Sequence, residues 1–238
     1  MTSVERLRVK IFADGADLEG IRTLARESWI RGFTTNPTLM AKAGVSDYSA
    51  FARDVLTAVT GRPVSFEVFS DEFTEMERQA RVIAGWGDNV HVKIPVTNTA
   101  QVSSAPLIRR LSHDGIKVNV TAVMSERQVE EVVAALAGGA PSCISVFAGR
   151  IADTGRDPVP HMARALKLLA PVPGIELVWA SPRELLNVFQ ADAIGCHIIT
   201  VTSDILKKLA LVDRDLEDFS LETVKMFQAD ADRLGVRL

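Results

Sequence analysis

The chain contains eight short segments rich in β-branched and apolar residues, and these alternate with stretches of helical periodicity. The strand-like segments span residues 8–14, 32–36, 63–69, 90–95, 116–123, 142–148, 175–181 and 197–202. Between them, apolar residues recur at intervals of three and four, as at Val129, Val132 and Leu136, which is the signal of an amphipathic helix. Strands that alternate with helices favour parallel pairing through right-handed crossovers. Eight such strands are the number that closes an α/β barrel.

The same pattern could also form an open, doubly wound sheet, so other features must favour closure. No G-x-G-x-x-G follows the first strand segment, and no P-loop pattern occurs. After the eighth strand segment, residues 203–210 and 221–234 predict a short helix and a final helix. No linker rich in Pro, Gly or Ser interrupts the chain. We therefore predict one domain over residues 1–238, a (β/α)8 TIM barrel with an additional C-terminal helix.

Composition narrows the classes of function. The 238 residues carry a net charge of -3, whereas a domain that binds nucleic acid is usually basic. No apolar stretch reaches the length of a membrane span, and the N-terminus lacks the apolar core of a signal peptide. Cys143 and Cys196 lie in apolar runs outside any C-x-x-C pair, as expected of buried reduced thiols. These features predict a soluble cytoplasmic protein that binds neither nucleic acid nor membrane.

Polar residues collect at the ends of the predicted strands and directly after them. In an α/β barrel this is where functional groups lie, because the loops that follow the strands meet at one face. The residues concerned are Asp14, Asn36, Glu67, Lys93, Asn119, Thr121, Ser145, Arg150, Ser181 and Arg183.

Each of these residues also has a structural explanation. Asp14 could cap the helix that begins near residue 17 or 18, and Asn36 before a proline could be a turn residue. Ser181 could cap the next helix, and Thr121 could be a β-branched strand residue. A lone lysine near a strand end is usually a surface residue whose stem packs on apolar neighbours. Arg150 and Arg183 could likewise be surface charges.

Strand alternation nevertheless turns Lys93 into the barrel. Val92 and Ile94 share one face of the fourth strand and belong against the outer helices, so Lys93 faces inward with His91 and Pro95. By the same alternation Glu67 shares a face with Phe69, and Asn119 shares one with Thr121. An inward lysine beside inward polar residues needs a functional reason, since buried charge is costly.

An amine catalyst supplies such a reason. A lysine is nucleophilic only when neutral, and lowering its pKa from about 10.4 to near 7 requires roughly 4 kcal/mol, which desolvation in a barrel can provide. The neutral amine can attack a ketone and form an imine that accepts electrons without a cofactor. No H-E-x-x-H, EF-hand or clustered Cys/His set occurs, so we expect neither metal nor cofactor.

Six segments together resemble the small transaldolases and the related fructose-6-phosphate aldolases. They are GFTTNPTLM (32–40), HVKIPVTNT (91–99), IKVNVTAVMS (116–125), ISVFAGRIADTG (144–155), LVWASPRE (177–184) and IGCHIITVTSDIL (194–206). The resemblance runs in order over almost the whole chain, and the combination of TTNPT, KIP and NVTAV is far more specific than any one motif. It implies a (β/α)8 barrel and an enzyme that moves a dihydroxyacetone unit from a ketose phosphate to an aldehyde, as in the pentose phosphate pathway.

The resemblance also implies roles for individual residues. Lys93 matches the lysine that forms the Schiff base, and Asp14 the residue that takes the hydroxyl proton during carbon–carbon cleavage. Asn36 and Asn119 match residues that hold the three-carbon unit. Ser181 matches a further substrate-binding position, and Arg150 and Arg183 match the phosphate-binding positions. From its place in the sixth strand we also predict that Ser145 binds the substrate, together with Phe147 in the same segment.

Two positions favour the transaldolase branch. Transaldolases carry Glu where the aldolases carry Gln, and that Glu positions a catalytic water together with a Thr; these residues are Glu67 and Thr121 here. Transaldolases also carry Phe where the aldolases carry a Tyr that helps to release the product, and this chain has Phe147. The resemblance therefore implies transfer rather than release of free dihydroxyacetone.

Three alternatives stay open. The chain could be an aldolase of the fructose-6-phosphate type, a transaldolase for a higher-carbon or sulfonated sugar, or a sugar-phosphate-binding barrel without catalysis. The charged segment GRIADTGRDP and the end of the eighth strand in VTSD depart from the family pattern and leave the acceptor sugar open. The resemblance further implies a homo-oligomer, a pentamer or decamer, in which the final helix reaches a neighbouring subunit or covers its own barrel.

Overall fold

Eight parallel strands form a closed barrel in the computed structural model, which describes residues 6–235. The strands are β1 (Lys10–Asp14), β2 (Ile30–Thr34), β3 (Val64–Glu67), β4 (Val90–Pro95), β5 (Val118–Val123), β6 (Ser142–Val146), β7 (Ile175–Trp179) and β8 (Ile198–Thr202). Each strand pairs with its neighbour in the sequence, and β8 pairs with β1. The predicted barrel is therefore confirmed, and the open sheet is excluded.

Helices follow the strands and cover the outside of the barrel. They are α1 (Leu18–Leu24), α2 (Pro37–Lys42), α3 (Tyr48–Ala58), α4 (Phe73–Ala84), α5 (Ala105–His113), α6 (Glu126–Leu136), α7 (Ala148–Asp153), α8 (Pro158–Leu169), α9 (Leu186–Ala193), α10 (Ser203–Leu206) and α11 (Leu216–Leu234), with a 3-10 helix at Lys207–Leu211. Several begin at a side chain that satisfies a free backbone N–H group. In α6, for example, Ser125 and Gln128 cap each other's backbone N–H groups.

Apolar residues fill two separate regions. The larger core lies between the strands and the outer helices and includes Val92 and Ile94, both fully buried. A smaller cluster lies inside the barrel, because its members alternate with the outward residues of their strands. It consists of Phe12, Cys143, Val178 and Ile198. Both cysteines are buried free thiols.

The ring of Phe12 fits inside the barrel because its partner on β2 has no side chain. Phe12 pairs with Gly32, and a Cβ atom at Gly32 would come within 2.6 Å of the ring. Real Cβ contacts are never this short, so the aromatic ring requires glycine at the opposite position. This pair closes the interior below the polar residues that follow on the same strands.

Several predicted boundaries differ from the structure; β2, for example, lies two residues earlier in the sequence than predicted. The third strand ends at Glu67, and the chain then leaves the sheet, because the N–H groups of Phe69 and Ser70 are bonded to the side chain of Gln79. Phe69 is therefore 51% exposed and does not share an inward face with Glu67. The short helix predicted at 203–210 is one α-helical turn followed by the 3-10 helix.

The final helix begins at Leu216, five residues earlier than predicted, because Asp215 caps the N–H groups of Glu217 and Asp218. None of its residues is buried in this chain. Within residues 6–235, no helix is both long and apolar enough to cross a membrane.

Candidate active site

A cavity of about 700 Å³ opens at the carboxyl ends of the strands, and ten of the eleven predicted site residues line it. These ten are Asp14, Asn36, Glu67, Lys93, Thr121, Ser145, Phe147, Arg150, Ser181 and Arg183. They come from the ends of β1 to β7 or from the loops and helices that follow, so residues far apart in the sequence face one volume. This is the face at which TIM-barrel enzymes carry their active sites.

The Lys93 amine lies at the floor of this cavity. The residue is only 6% exposed, so it is not a surface lysine. Its Nζ atom donates to the backbone carbonyl of Thr35 at 2.9 Å and lies 3.2 Å from Oε2 of Glu67. Glu67 and Asn119 are its direct neighbours on β3 and β5. The neighbours of the buried amine are thus charged and polar groups rather than apolar side chains.

Asp14, at the end of β1, is the second carboxylate near the amine. Burial raises the pKa of Asp14 above its ordinary value, while the charge of Lys93 and a hydrogen bond from Thr34 oppose that effect. Thr34 Oγ1 donates to Asp14 Oδ1 at 2.7 Å. Asp14 does not cap α1, because Asp17 does so. The structural explanation of Asp14 is therefore wrong, and the carboxylate is available to a ligand.

Two threonines that the sequence analysis missed support Asp14. Thr34 and Thr200 are buried, and their hydroxyl groups are hydrogen-bonded to each other. Because a hydroxyl has one proton and Thr34 donates it to Asp14, Thr200 must be the donor to Thr34. These two successive hydrogen bonds hold one carboxylate oxygen of Asp14 in place. Thr34 belongs to the TTN motif and Thr200 to the inward face of β8, but their β-branched shape alone explains their presence in strands.

Asn119 lies below the cavity rather than at its surface. It is 1% exposed, and its amide group donates to Ser65 Oγ at 3.0 Å and accepts from Ser145 Oγ at 2.7 Å. Ser145 itself lines the cavity. In this structure Asn119 therefore reaches the site through Ser145, and Ser65, which the sequence analysis did not single out, fixes the orientation of the amide.

Thr121 has a free hydrogen-bonding group. Its Oγ1 atom is buried and has no hydrogen-bond partner among the described residues, although the residue lines the cavity. The next residue, Ala122, has a φ of 60°, and the register with β6 shifts at this point. A left-handed alanine is strained, and such strain is concentrated at functional sites. The bulge turns the end of β5 so that Thr121 and Ala122 both line the cavity.

Asn36 has two contacts. Its Oδ1 atom accepts from the backbone N–H of Leu39 at 2.9 Å and so caps α2. Its side chain also lies close enough to Asp14 to oppose, weakly, the rise that burial causes in the pKa of that carboxyl group. Capping of α2 thus places the amide of Asn36 beside the carboxylate of Asp14.

The outer end of the cavity carries the two arginines. Arg150 lies on α7, and Arg183 follows β7, where its Nη1 atom donates to Ser181 Oγ at 3.0 Å. Ser181 has a φ of 60° and does not cap α9, whose N-cap is Leu185. A Cβ atom at Gly149 would lie 1.6 Å from the carbonyl oxygen of Ser181. Glycine is therefore required for α7 to approach this loop.

Phe147 is the one aromatic residue among the described residues that line the cavity. It occupies the N-cap position of α7 and lines the cavity without contributing a hydroxyl group. Among residues 6–235, no three His, Cys, Asp or Glu side chains are placed so that they could hold a metal ion.

A second cavity, of about 440 Å³, lies at the amino ends of the strands, and none of the predicted residues lines it. There the guanidinium of Arg62 donates to the backbone carbonyls of Ala25, Glu27 and Ile30. These bonds tie the loop before β3, which carries Arg62, to the loop after α1 and to the start of β2. This end of a TIM barrel usually serves stability rather than catalysis.

Comparison with known proteins identifies a family that the chain matches. A sequence model of the family described as "Transaldolase/Fructose-6-phosphate aldolase" matches residues 11–238. A "Probable transaldolase" of Brucella anthropi is 35% identical over 238 residues, covering 97% of this chain and 100% of the relative. A protein of the same description from Dehalococcoides mccartyi is 34% identical over 203 residues, covering 84% of this chain and 90% of the relative.

Solved structures agree with the fold alone. The chain is similar to a dihydrodipicolinate synthase from Rhodopseudomonas palustris with a TM-score of 0.57 and 15% identity, covering 90% of this chain and 79% of that one.

Proposed function

Because the chain belongs to the transaldolase/fructose-6-phosphate aldolase family, we propose that it transfers a dihydroxyacetone unit from a ketose phosphate to an aldehyde through a Schiff base on Lys93. The observation that carries this proposal is the buried amine of Lys93 at the floor of the cavity, between the carboxylates of Asp14 and Glu67. Burying a lysine and two carboxylates together costs free energy of folding. A chemical task for the amine explains why the protein nevertheless keeps these groups there.

The first step is attack of the neutral amine on the C2 carbonyl of the ketose. Glu67, with its Oε2 atom 3.2 Å from Nζ, is close enough to accept the ammonium proton directly or through one water. We assign to Thr121, whose buried hydroxyl has no partner among the described residues, the second contact to that water. Loss of the carbonyl oxygen as water then leaves the protonated imine.

The second step breaks the bond between C3 and C4. Asp14 takes the proton of the C4 hydroxyl, the C4 carbonyl forms, and the electrons of the broken bond pass into the imine to give an enamine on Lys93. The aldehyde product leaves, and an acceptor aldehyde then forms the new bond as Asp14 returns the proton, which gives a new imine on Lys93. Addition of water to this imine releases the new ketose and regenerates the amine. The raised pKa of Asp14 suits a group that must hold a proton between the two halves of the reaction.

The remaining residues hold the substrate. We assign the three-carbon unit to Asn36 and Ser145, with Asn119 acting through Ser145, as its bonds suggest. The phosphate at the far end is assigned to Arg150 and Arg183, because a guanidinium can donate two parallel hydrogen bonds to it. Ser181, which accepts a hydrogen bond from Arg183, lines the same cavity.

Trapping with borohydride tests the proposal. Reduction in the presence of fructose 6-phosphate should add the mass of the reduced three-carbon unit to Lys93, and Lys93→Met should lose both the label and the activity. Lys117, which directly precedes the adjacent strand β5, is the control, and Lys117→Met should keep the label. An unlabelled wild type together with full activity of Lys93→Met would show that the assignment is wrong.

The balance between transfer and release depends on Phe147. A phenylalanine offers no proton to the bound unit, so we favour transfer over aldol cleavage of the fructose-6-phosphate aldolase type. The donor alone, without acceptor aldehyde, should release free dihydroxyacetone slowly, and Phe147→Tyr should release it faster. Rapid release by the wild type would favour the aldolase alternative.

The identity of the sugar is the second open choice. A panel of ketose donors that includes higher-carbon and sulfonated sugars, assayed by the same trap, tests the ordinary phosphate substrate against a specialised one. Thermal stabilisation by one sugar phosphate, without label at Lys93 or turnover, would instead favour a binding protein.

We further propose that the protein is a cytoplasmic homo-oligomer, a pentamer or decamer, that binds neither nucleic acid nor membrane. Along α11, Leu216, Phe219, Val224 and Phe227 are all exposed, and such an apolar helix face is usually covered by a partner. Two buried free thiols fit a reducing compartment. Light scattering of the full chain should give one mass above that of the monomer.

A further inference from the structure

The guanidinium of Arg183 is held in place by a carboxylate outside the cavity. Its Nε atom donates to Asp153 Oδ1 at 2.9 Å, and its Nη2 atom donates to Asp153 Oδ2. Nη1 donates to Ser181 Oγ. Arg183 is among the residues that line the cavity, whereas Asp153 is not.

With these bonds in place, two N–H groups of Arg183 are left to bind a ligand. A guanidinium has five N–H groups in one plane. Asp153 takes one on Nε and one on Nη2, and Ser181 takes one on Nη1. One N–H remains on each terminal nitrogen, and a tetrahedral anion at the outer end of the cavity can accept both. Three of the five donors thus fix the plane in which the other two are offered.

We propose that Asp153 is a positioning residue for anion binding, which holds Arg183 so that a substrate phosphate meets a guanidinium already in place. This inference rests on the proposed function, in which Arg183 binds the phosphate. Asp153 lies on α7 three residues after Arg150, so one helix supplies the second arginine and the carboxylate that orients the first.

Two effects of Asp153 on an incoming phosphate have opposite signs. Its negative charge repels the anion and offsets one of the two positive charges. Both partners of the pair are about half exposed, however, so water and salt weaken this repulsion. An arginine side chain without such a partner loses conformational entropy when it binds an anion. Because Asp153 already fixes Arg183, less of this entropy is lost on binding. Orientation therefore outweighs repulsion, and removal of Asp153 weakens phosphate binding.

The chain offers a matched control for the test. Asp114 and Arg81 form an ion pair whose side chains are 51% and 44% exposed, against 52% and 45% for Asp153 and Arg183. Asp114 follows α5, and it does not line the cavity. Asp114→Ala thus removes the same charge from an equally exposed pair elsewhere.

Calorimetric titration of the full chain with inorganic phosphate, and with fructose 6-phosphate, measures the effect. Asp153→Ala should weaken phosphate binding about threefold to tenfold, while Asp114→Ala should leave it unchanged. In the Arg183→Ala background, Asp153→Ala should cause no further weakening. A merely structural role would still weaken binding there, so that result overturns the inference, as does equal or tighter phosphate binding by Asp153→Ala.

Two further arms keep the test decisive. If Asp153→Ala does not fold, Asp153→Asn keeps the volume without the charge, and it should also bind phosphate more weakly. Trapping of unphosphorylated dihydroxyacetone on Lys93 does not depend on the phosphate end. If the wild type traps dihydroxyacetone but binds no phosphate, the inference about Asp153 is wrong and the proposed chemistry on Lys93 is unaffected. If it binds phosphate but traps no dihydroxyacetone, the proposed chemistry is wrong and the inference about anion binding is unaffected.

Discussion

Protonation of His91 should destabilise the barrel from within. His91 lies on β4 two residues before Lys93, its Nδ1 atom is buried, and that atom has no hydrogen-bond partner among the described residues. Burial lowers the pKa of His91 from 6.5 to about 4, and the charge of Lys117 acts in the same direction, whereas a hydrogen bond with the backbone of Asn89 and the charge of Glu176 oppose the shift. The folded protein therefore binds this proton less tightly than the unfolded chain does.

The size of the effect follows from that difference. Stability rises with pH wherever the unfolded state binds more protons. The contribution of His91 is thus complete above pH 6.5 and is lost as the pH falls from 6.5 towards 4. Each pKa unit corresponds to about 1.36 kcal/mol, so about 2 kcal/mol should be lost by pH 5 and about 3 kcal/mol by pH 4.

Urea denaturation, followed by tryptophan fluorescence at pH 7.5, 6, 5 and 4, measures this loss at one protein concentration. His91→Leu removes the titrating ring, so its free energy of unfolding should fall less steeply over this range, by about 2 kcal/mol at pH 5. His113 is exposed, and His113→Leu should follow the wild type in parallel. Equal slopes for the wild type and His91→Leu between pH 6.5 and 4 would refute the reasoning.

Three further substitutions have defined outcomes, each read from thermal or urea denaturation. Asp14→Asn should raise the stability at pH 7 by about 1 kcal/mol. Burial raises the pKa of Asp14, so the gain is largest above the folded pKa and disappears below pH 3.8. Gly149→Ala should cost about 1–3 kcal/mol, because the new Cβ atom would overlap the carbonyl oxygen of Ser181. Tyr48→Phe should cost about 1 kcal/mol, because the Tyr48 hydroxyl donates to the backbone carbonyl of Glu67 at 2.9 Å.

Controls separate these effects from general damage. A Cβ atom at Gly15 would meet no atom within 4 Å, so Gly15→Ala should not reproduce the loss seen at Gly149. Asp54 is exposed on α3, so Asp54→Asn should not give the gain expected of Asp14→Asn. An Asp14→Asn variant that is less stable than the wild type at pH 7 would contradict the cost assigned to burial of the carboxylate.

The sequence predicted best what depends on local pattern. The barrel follows from eight apolar segments separated by amphipathic stretches. The inward direction of Lys93 follows from Val92 and Ile94, which need apolar surroundings on the opposite face. Even the start of α11 had a local signal in Asp215, an N-cap residue that the apolar spacing alone did not reveal.

Contacts between distant residues could not be predicted in this way. Ser65 reaches Asn119 across 54 positions, and Thr200 reaches Thr34 across 166, so only the closed barrel brings them together. Asp153 stood out only as part of a charged segment, since its partner is 30 residues away. Residue type predicts what chemistry a side chain can perform, whereas its partner depends on the strand register.

The packing of Phe12 against Gly32 also has an evolutionary consequence. A larger residue at position 32 would overlap the aromatic ring, and loss of the ring alone would leave an unfilled volume beside Cys143, Val178 and Ile198 inside the barrel. Substitutions at these two positions should therefore occur together in descendants of this sequence. Neither single change offers a selectively neutral intermediate, so the pair should persist longer than the surface residues around it.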